Sequence, residues 1–434
     1  MKNNKYILFS LTGFYIIFLF LLDFYIFETK SDYFWCVSFE YFEILNTYLP
    51  IHCDEGPYYE ASQKLSFFFS ENNPYQKRPL YILLITVIRW VLNIFAFGYL
   101  SEYFIFRLSM LFIQYIILFF IAVGTTKLFR INRINFLSII TLFSIFSIPN
   151  VRWNIFYPSH GNLTLLLLII TLNKIFNNNK VIKNSKLFFL LMGIGSLFHR
   201  TALVFGLIYL LFSIIKKKNE NIKNYFFYIF NLFIPTFLYE SFVRFSKYDS
   251  YDWNREVYGQ FYWIIDILNG KQIEYHDTSC HQINLFLNCY FENTLHFLSY
   301  FMVLVIFLGV LCAYNLEILK DKVIGYLFGI STVIFIFWSL QGLYQTFRFI
   351  NYSIGYFLFL TLIFINFKYF RDWILSLAII TYQFSIFYLE PYSITTLKPN
   401  NVTYFSIILF ALFFFNQLTI KFKKTSNQKL KNLS

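Results

Sequence analysis

Pro79-Leu80-Tyr81-Ile82-Leu83-Leu84-Ile85-Thr86-Val87-Ile88-Arg89-Trp90-Val91-Leu92-Asn93-Ile94-Phe95 is the stretch on which the topology of this chain turns. It is apolar enough to cross a bilayer, yet Thr86, Arg89 and Asn93 fall at i, i+3 and i+7 and so share one helical face. Such a helix suits the membrane interface or the flank of a bundle. A true crossing would bury one arginine at about 2.5 to 3.5 kcal/mol on insertion scales. Residues 80–98 are therefore read as a juxtamembrane helix.

The surrounding sequence is that of an integral membrane protein. Of 434 residues, 58% are hydrophobic and 14% charged, against roughly 25% charged in a soluble globule. Apolar runs of roughly 17 to 25 residues recur along the chain, the length a helix needs to cross a hydrocarbon core about 30 Å thick. The expected fold is all-α and polytopic. Lys2 and Lys5 precede an apolar run over 6–22 with no small-residue cleavage site after it, which predicts an uncleaved first span.

Thirteen segments, from 6–27, 80–98 and 103–124 to 373–389 and 402–421, are apolar enough to be spans. Basic residues decide between thirteen and twelve. If 80–98 does not cross, the inner loops hold Lys127, Arg130 and Arg133; Lys180, Lys183 and Lys186; Lys216, Lys217 and Lys218; Lys320 and Lys322; Lys368 and Arg371; and the lysines of the tail. The short outer loops then hold little beyond Arg152, Arg200, Arg348 and Lys398. This is the bias of the positive-inside rule. The sequence thus predicts about twelve transmembrane helices in one integral membrane domain, 1–434, with both termini cytoplasmic. The net charge of +13 belongs to those loops, so nucleic acid is not an expected partner.

Two large regions then face outward: residues 28–102, a loop extended by the juxtamembrane helix, and residues 244–293. Both are rich in Trp, Tyr and paired charges, and loops of this length tend to carry function. Cys36, Cys53, Cys280 and Cys289 fall in these regions, and Cys312 falls in a span. Local pairing of Cys36 with Cys53 and of Cys280 with Cys289 suits an oxidising compartment such as a periplasm; four unpaired thiols are the alternative. No CxxC or Cys/His spacing supports a zinc site.

Asp54 and Glu55 are adjacent acids at the start of a predicted helix in Cys53-Asp54-Glu55-Gly56-Pro57-Tyr58-Tyr59-Glu60-Ala61. A carboxylate there could take the proton of a hydroxyl nucleophile, although acids in a first turn also complement the helix dipole. Lys77 and Arg78 precede Pro79 and are candidates for a phosphate or a lipid headgroup. Arg107, the His199-Arg200 pair after Gly193-Ile194-Gly195-Ser196, and Arg348 in Gln345-Thr346-Phe347-Arg348-Phe349 stand at predicted outer ends of spans. Ionisable groups bordering membrane segments are costly and often functional, or else they snorkel to the interface. His160, before Gly161, either orients a substrate or caps the next helix.

In their order and facing these motifs resemble the GT-C glycosyltransferases, lipid-linked sugar transferases that include protein mannosyltransferases and the aminoarabinose transferase of lipid A. The resemblance is carried by Asp54-Glu55 with Tyr58, Tyr59 and Ala61, by Arg78-Pro79-Leu80, and by Glu102-Tyr103 to Arg107-Leu108. It continues more weakly through Gly193 to Ala202 and Arg348-Phe349. It covers most of the topology but few residues. It implies transfer of a sugar from a polyprenyl-phosphate donor to a glycan or lipid acceptor at the outer face of a bacterial inner membrane. Asp54 would be the catalytic base and Glu55 its assistant or a ligand to a divalent metal. Lys77, Arg78, Arg200 and Arg348 would hold the donor phosphate, and Tyr58, Arg107, His160 and His199 would contact substrate.

Two departures accompany the resemblance. The stretch before Asp54 is longer than is usual in the family, which leaves Asp23 and Glu28 as alternative holders of the base position. The second outer loop, 150–161, has no acid where many members carry an Asp. Two other functions stay open: an O-antigen or exopolysaccharide repeat-unit polymerase and, from a different class, a polysaccharide flippase or transporter. Transporters tend to show internal repeats and broken midplane helices, and no such repeat is visible here.

Overall fold

A computed structural model describes residues 2–29, 37–42, 47–52, 55–63, 79–96, 99–131, 134–153, 155, 161–177, 185–216, 221–245, 265, 268–270, 301–340, 351–388 and 401–431. The chain is helical, and each of the thirteen apolar segments holds a helix. In order these are α1 (Lys2–Thr29), α2 (Glu55–Gln63), α3 (Pro79–Ala96), α4 (Glu102–Leu128), α5 (Phe136–Phe146), α6 (Pro149–Trp153), α7 (Gly161–Asn177), α8 (Ser185–Ser196), α9 (Thr201–Lys216) and α10 (Ile222–Phe245). Then follow α11 (Met302–Tyr314), α12 (Lys322–Leu340), α13 (Tyr356–Ile365), α14 (Trp373–Tyr388) and α15 (Asn401–Lys431). Among the described residues, four stretches are long and apolar enough to cross a membrane: Pro79–Ala96, Glu102–Leu128, Ser353–Phe370 and Thr403–Phe422. Between α1 and α2 lies an antiparallel hairpin of β1 (Val37–Phe42) and β2 (Thr47–His52), in a register that pairs Val37 with His52 and Phe42 with Thr47.

Helix α4 is the axis of the bundle. Its start is capped by Ser101, whose hydroxyl accepts from the Phe104 N–H at 3.2 Å, and Glu102 and Lys127 stand at the ends that suit the helix dipole. Against it, α1 packs the Phe9 ring edge-on to Tyr115 at 4.8 Å, and the Tyr115 hydroxyl donates to the Phe9 carbonyl at 2.9 Å. On another side α7 comes close because position 124 is glycine. A Cβ there would lie 2.6 Å from Ile169 Cγ2, and the Asn173 amide donates to the Gly124 carbonyl at 2.8 Å. Deeper in the contact, buried Asn162 donates to buried Gln114 at 3.0 Å.

The same glycine logic joins α8 to α10, where a Cβ on Gly193 would lie 2.6 Å from both the Asn231 and Leu232 carbonyl oxygens. Outward, large apolar side chains stand exposed, among them Phe226, Phe230 and Phe237 on α10 and Phe405, Leu412 and Phe415 on α15. Exposed apolar surface on this scale needs lipid rather than water as its neighbour.

At the C-terminal end of α4, Phe129 stacks on Phe367 with centroids 5.5 Å apart. Nearby, Asp321 is held by Lys368 at 2.5 Å, by the Tyr369 hydroxyl at 2.8 Å and by the Val323 N–H at 2.9 Å. Since α4 has 27 residues, this polar knot lies roughly 40 Å from the opposite end of the bundle.

Helix α3 buries Tyr81, Ile82, Ile85 and Arg89 and exposes Leu83, Leu84, Val87, Trp90, Val91, Ile94 and Phe95. Of the polar stripe expected from the sequence, Arg89 turns inward, Thr86 returns its hydroxyl to the Ile82 carbonyl at 2.9 Å, and Asn93 stays exposed. The buried arginine is paired with Glu102. The cost that argued against a crossing is thereby reduced, and Pro79–Ala96 is itself long and apolar enough to cross.

Candidate functional site

At the end of the bundle where α4 begins, a second apolar cluster stands apart from the main core. Tyr58 and Ala61 of α2 meet Tyr81, Ile82 and Ile85 of α3 and Phe106, Met110 and Ile113 of α4, with Phe198 and Tyr239 packed against them. The hydrophobic pattern explains the meeting. In α2 the apolar positions 58 and 61 lie one turn apart, and in α3 positions 81, 82 and 85 form the matching stripe. The start of α3 is tied to the α8–α9 turn by a backbone hydrogen bond from the Leu80 N–H to the Leu197 carbonyl at 3.4 Å.

That cluster carries charge on its rim. Arg89 Nη2 donates to Glu102 Oε2 at 2.5 Å and Nη1 to the Ser62 hydroxyl at 3.2 Å, with the guanidinium 5.0 Å from the Tyr59 ring centre. Arg107 lies over the Tyr103 ring at 5.6 Å. Arg200 Nη2 donates to Glu240 Oε1 at 3.3 Å, both side chains being partly exposed. His199 Nδ1 accepts from the Thr201 N–H at 3.4 Å and lies 2.5 Å from the Thr201 hydroxyl, which is itself 3.4 Å from the Thr164 hydroxyl of α7. An accepting Nδ1 leaves the proton of the neutral ring on Nε2.

The residues singled out from the sequence fare differently. Tyr58, Arg107, His199 and Arg200 all belong to elements of this one end. Tyr58 is 1% exposed and packs edge-on to Tyr81 at 5.6 Å, so it serves as a packing wedge, while Tyr59, Glu60 and Gln63 form the helix's described polar surface. Glu55 is the first residue of α2, with its side chain outside the described residues. Asp54, Lys77, Arg78, His160 and Arg348 lie outside the described residues, as do Cys36, Cys53, Cys280 and Cys289. Asp23 and Glu28 fall within α1, their side chains likewise undescribed. Among the described residues no three His, Cys, Asp or Glu side chains are grouped to hold a metal ion.

Sequence reasoning passed over Glu240 as a site residue. Its signal is an acid inside the apolar run of α10, a placement that is costly unless a partner stands near. The sequence places Arg152 in a short outer loop. It is fully buried in α6, its guanidinium 4.1 Å from the Phe384 ring centre.

Compared with known proteins, the chain matches no family model, no curated protein and no solved structure.

Proposed function

We propose that this protein is a membrane glycosyltransferase that moves a sugar from a polyprenyl-phosphate donor to a glycan or lipid acceptor at the outer face of a bacterial inner membrane. The observation that supports the reading is the convergence at one bundle end. Helix α2, the start of α3, the start of α4 and the turn between α8 and α9 are separate stretches of the sequence, yet they pack on one cluster. These are four of the five stretches that carry the resemblance to the GT-C enzymes.

In this reading Asp54, next to α2, takes the proton from the acceptor hydroxyl as it attacks the sugar's anomeric carbon. The bond to the donor phosphate breaks, and the phosphate leaves with its lipid. Its negative charge is met by Arg200, together with Lys77, Arg78 and Arg348. The phosphate competes with the Glu240 carboxylate for the Arg200 guanidinium, and an arginine fork suits either anion. His199, fixed by Thr201, and Arg107 line the acceptor side.

The direct experiment compares membranes carrying wild-type protein and an Asp54→Asn variant, at matched protein level, for transfer of labelled sugar from polyprenyl-linked donors. Transfer by wild type and its loss in the variant is the expected result. Wild type that consumes no single-sugar donor moves the repeat-unit polymerase or the transporter ahead. Full activity of the variant removes Asp54 as the base.

A further inference from the structure

We infer that Arg89 is a positioning residue, which seats α2, and with it Glu55 at its first position, against α3 and α4. The inference rests on the sugar-transfer reading for its catalytic consequence, but the seat itself is a matter of geometry. Helix α2 has nine residues, and isolated helices shorter than about 12 to 15 residues are marginal. It needs external support.

Two kinds of contact supply that support. Tyr58 and Ala61 press on Tyr81, Ile82, Ile85 and Phe106, which fixes nearness but tolerates tilt, because apolar burial is non-directional. Arg89 adds direction. One amine donates to the Ser62 hydroxyl at 3.2 Å, that hydroxyl donates to the Tyr59 carbonyl at 2.7 Å, the guanidinium faces the Tyr59 ring, and the other amine reaches Glu102 at 2.5 Å. A single cation thus ties three helices.

Its burial makes the choice of residue informative. Arg89 is 5% exposed, and its Nε makes no hydrogen bond among the described residues. Its partner Glu102 is 66% exposed, so the pair is buried at the arginine alone, and a well-packed apolar side chain would fill that space with little loss of stability. The fork is what an apolar side chain cannot supply.

The grip is on Tyr59 and Ser62, in the last turns of α2, while Glu55 begins the helix. The lever from Ser62 to Glu55 is roughly 10 Å long, at 1.5 Å per residue. A tilt of about 10° therefore carries the head of α2 through roughly 2 Å, and a misplacement of about 1 Å can cost a reaction about 100-fold.

The test uses the full chain in nanodiscs with Arg89→Gln, Arg89→Lys and Glu102→Gln, read by hydrogen exchange and by transfer kinetics. In Arg89→Gln, exchange across residues 55–63 should rise about tenfold or more while residues 102–128 keep wild-type protection. The kcat should fall roughly 10- to 100-fold with KM within about twofold. Glu102→Gln should move the same way, and Arg89→Lys, which keeps the charge but not the fork, should lie between. Unchanged exchange over 55–63 overturns the seat. Uniform loss of protection in all helices overturns it in favour of a purely structural role, as does an equal fall in activity and in folded protein. A wild type that transfers no sugar removes the transferase reading, and the exchange data alone then decide whether Arg89 seats α2.

Discussion

Arg200 and Glu240 meet at 3.3 Å across the gap between the α8–α9 turn and α10, and both side chains remain within reach of solvent. A pair this exposed contributes less than about 1 kcal/mol to stability. In the sugar-transfer reading proposed above, its value lies in holding the guanidinium ready for the donor phosphate. Arg200→Gln should leave the unfolding temperature in detergent nearly unchanged. The KM for a polyprenyl-phosphate donor should rise about 10- to 100-fold, the span of a lost charge-assisted hydrogen bond. Equal donor KM in wild type and variant would remove Arg200 from the donor site.

Gly193 and Gly195 are two residues apart in one helix but differ sharply in the space around them. A Cβ at 193 would press on two backbone carbonyls at 2.6 Å, whereas one at 195 would meet the Ala202 methyl at 3.3 Å and Leu167 Cδ2 at 4.0 Å. Overpacking typically costs about 1 to 3 kcal/mol. Gly193→Ala should lower the unfolding midpoint clearly and Gly195→Ala much less, as measured by thermal unfolding of the purified protein.

Asp321 makes stability depend on acidity. Burial alone would raise its carboxyl, but hydrogen bonds from Lys368, Tyr369 and the Val323 N–H outweigh that and hold it below the ordinary carboxylate value. A folded value below the unfolded one contributes stability that is fully present above about pH 4 and is lost as pH falls through the depressed value. Asp321→Asn should therefore be less stable than wild type at neutral pH, and the gap should close in strong acid. A gap that stays constant with pH would show that the carboxylate is not the source.

The hairpin register bears on the cysteines. Val37 pairs with His52 at its open end, and the next residues in sequence are Cys36 and Cys53. The local pairing expected from the sequence would close the loop that holds this hairpin, and peptide mapping without reduction should then recover the two as one linked pair. A disulfide closing a loop of this size stabilises by about 3 kcal/mol. Recovery of both as free thiols from an oxidising compartment would refute the pairing.

Helices were legible in this sequence because lipid leaves the chain few alternatives: every apolar run must satisfy its own backbone. The direction of α3 was partly legible too, since periodicity places Arg89 on a face. Its partners Glu102 and Ser62 were not, because periodicity says nothing about which helix will lie opposite. The hairpin left a trace that was passed over. Val37, Phe39 and Tyr41 alternate with Ser38 and Glu40, the period of a strand, while Pro50 in β2 is tolerated because a two-stranded sheet has only edges. Of the candidate site, the chemistry-bearing residues could be picked out one by one. Tyr58 is the instructive exception, because the tyrosine doublet does not reveal which ring is turned into the core.

Helix α8 has 12 residues and α9 has 16, which makes them about 18 Å and 24 Å long. Over their described residues neither arm reaches across a hydrocarbon layer about 30 Å thick. Within a bilayer, the turn they share, with His199 and Arg200, would then stop short of one surface and draw water or headgroups down to it. In the sugar-transfer reading proposed above, that notch would let a lipid-borne phosphate meet Arg200 at its own depth, without first lifting its tail out of the membrane.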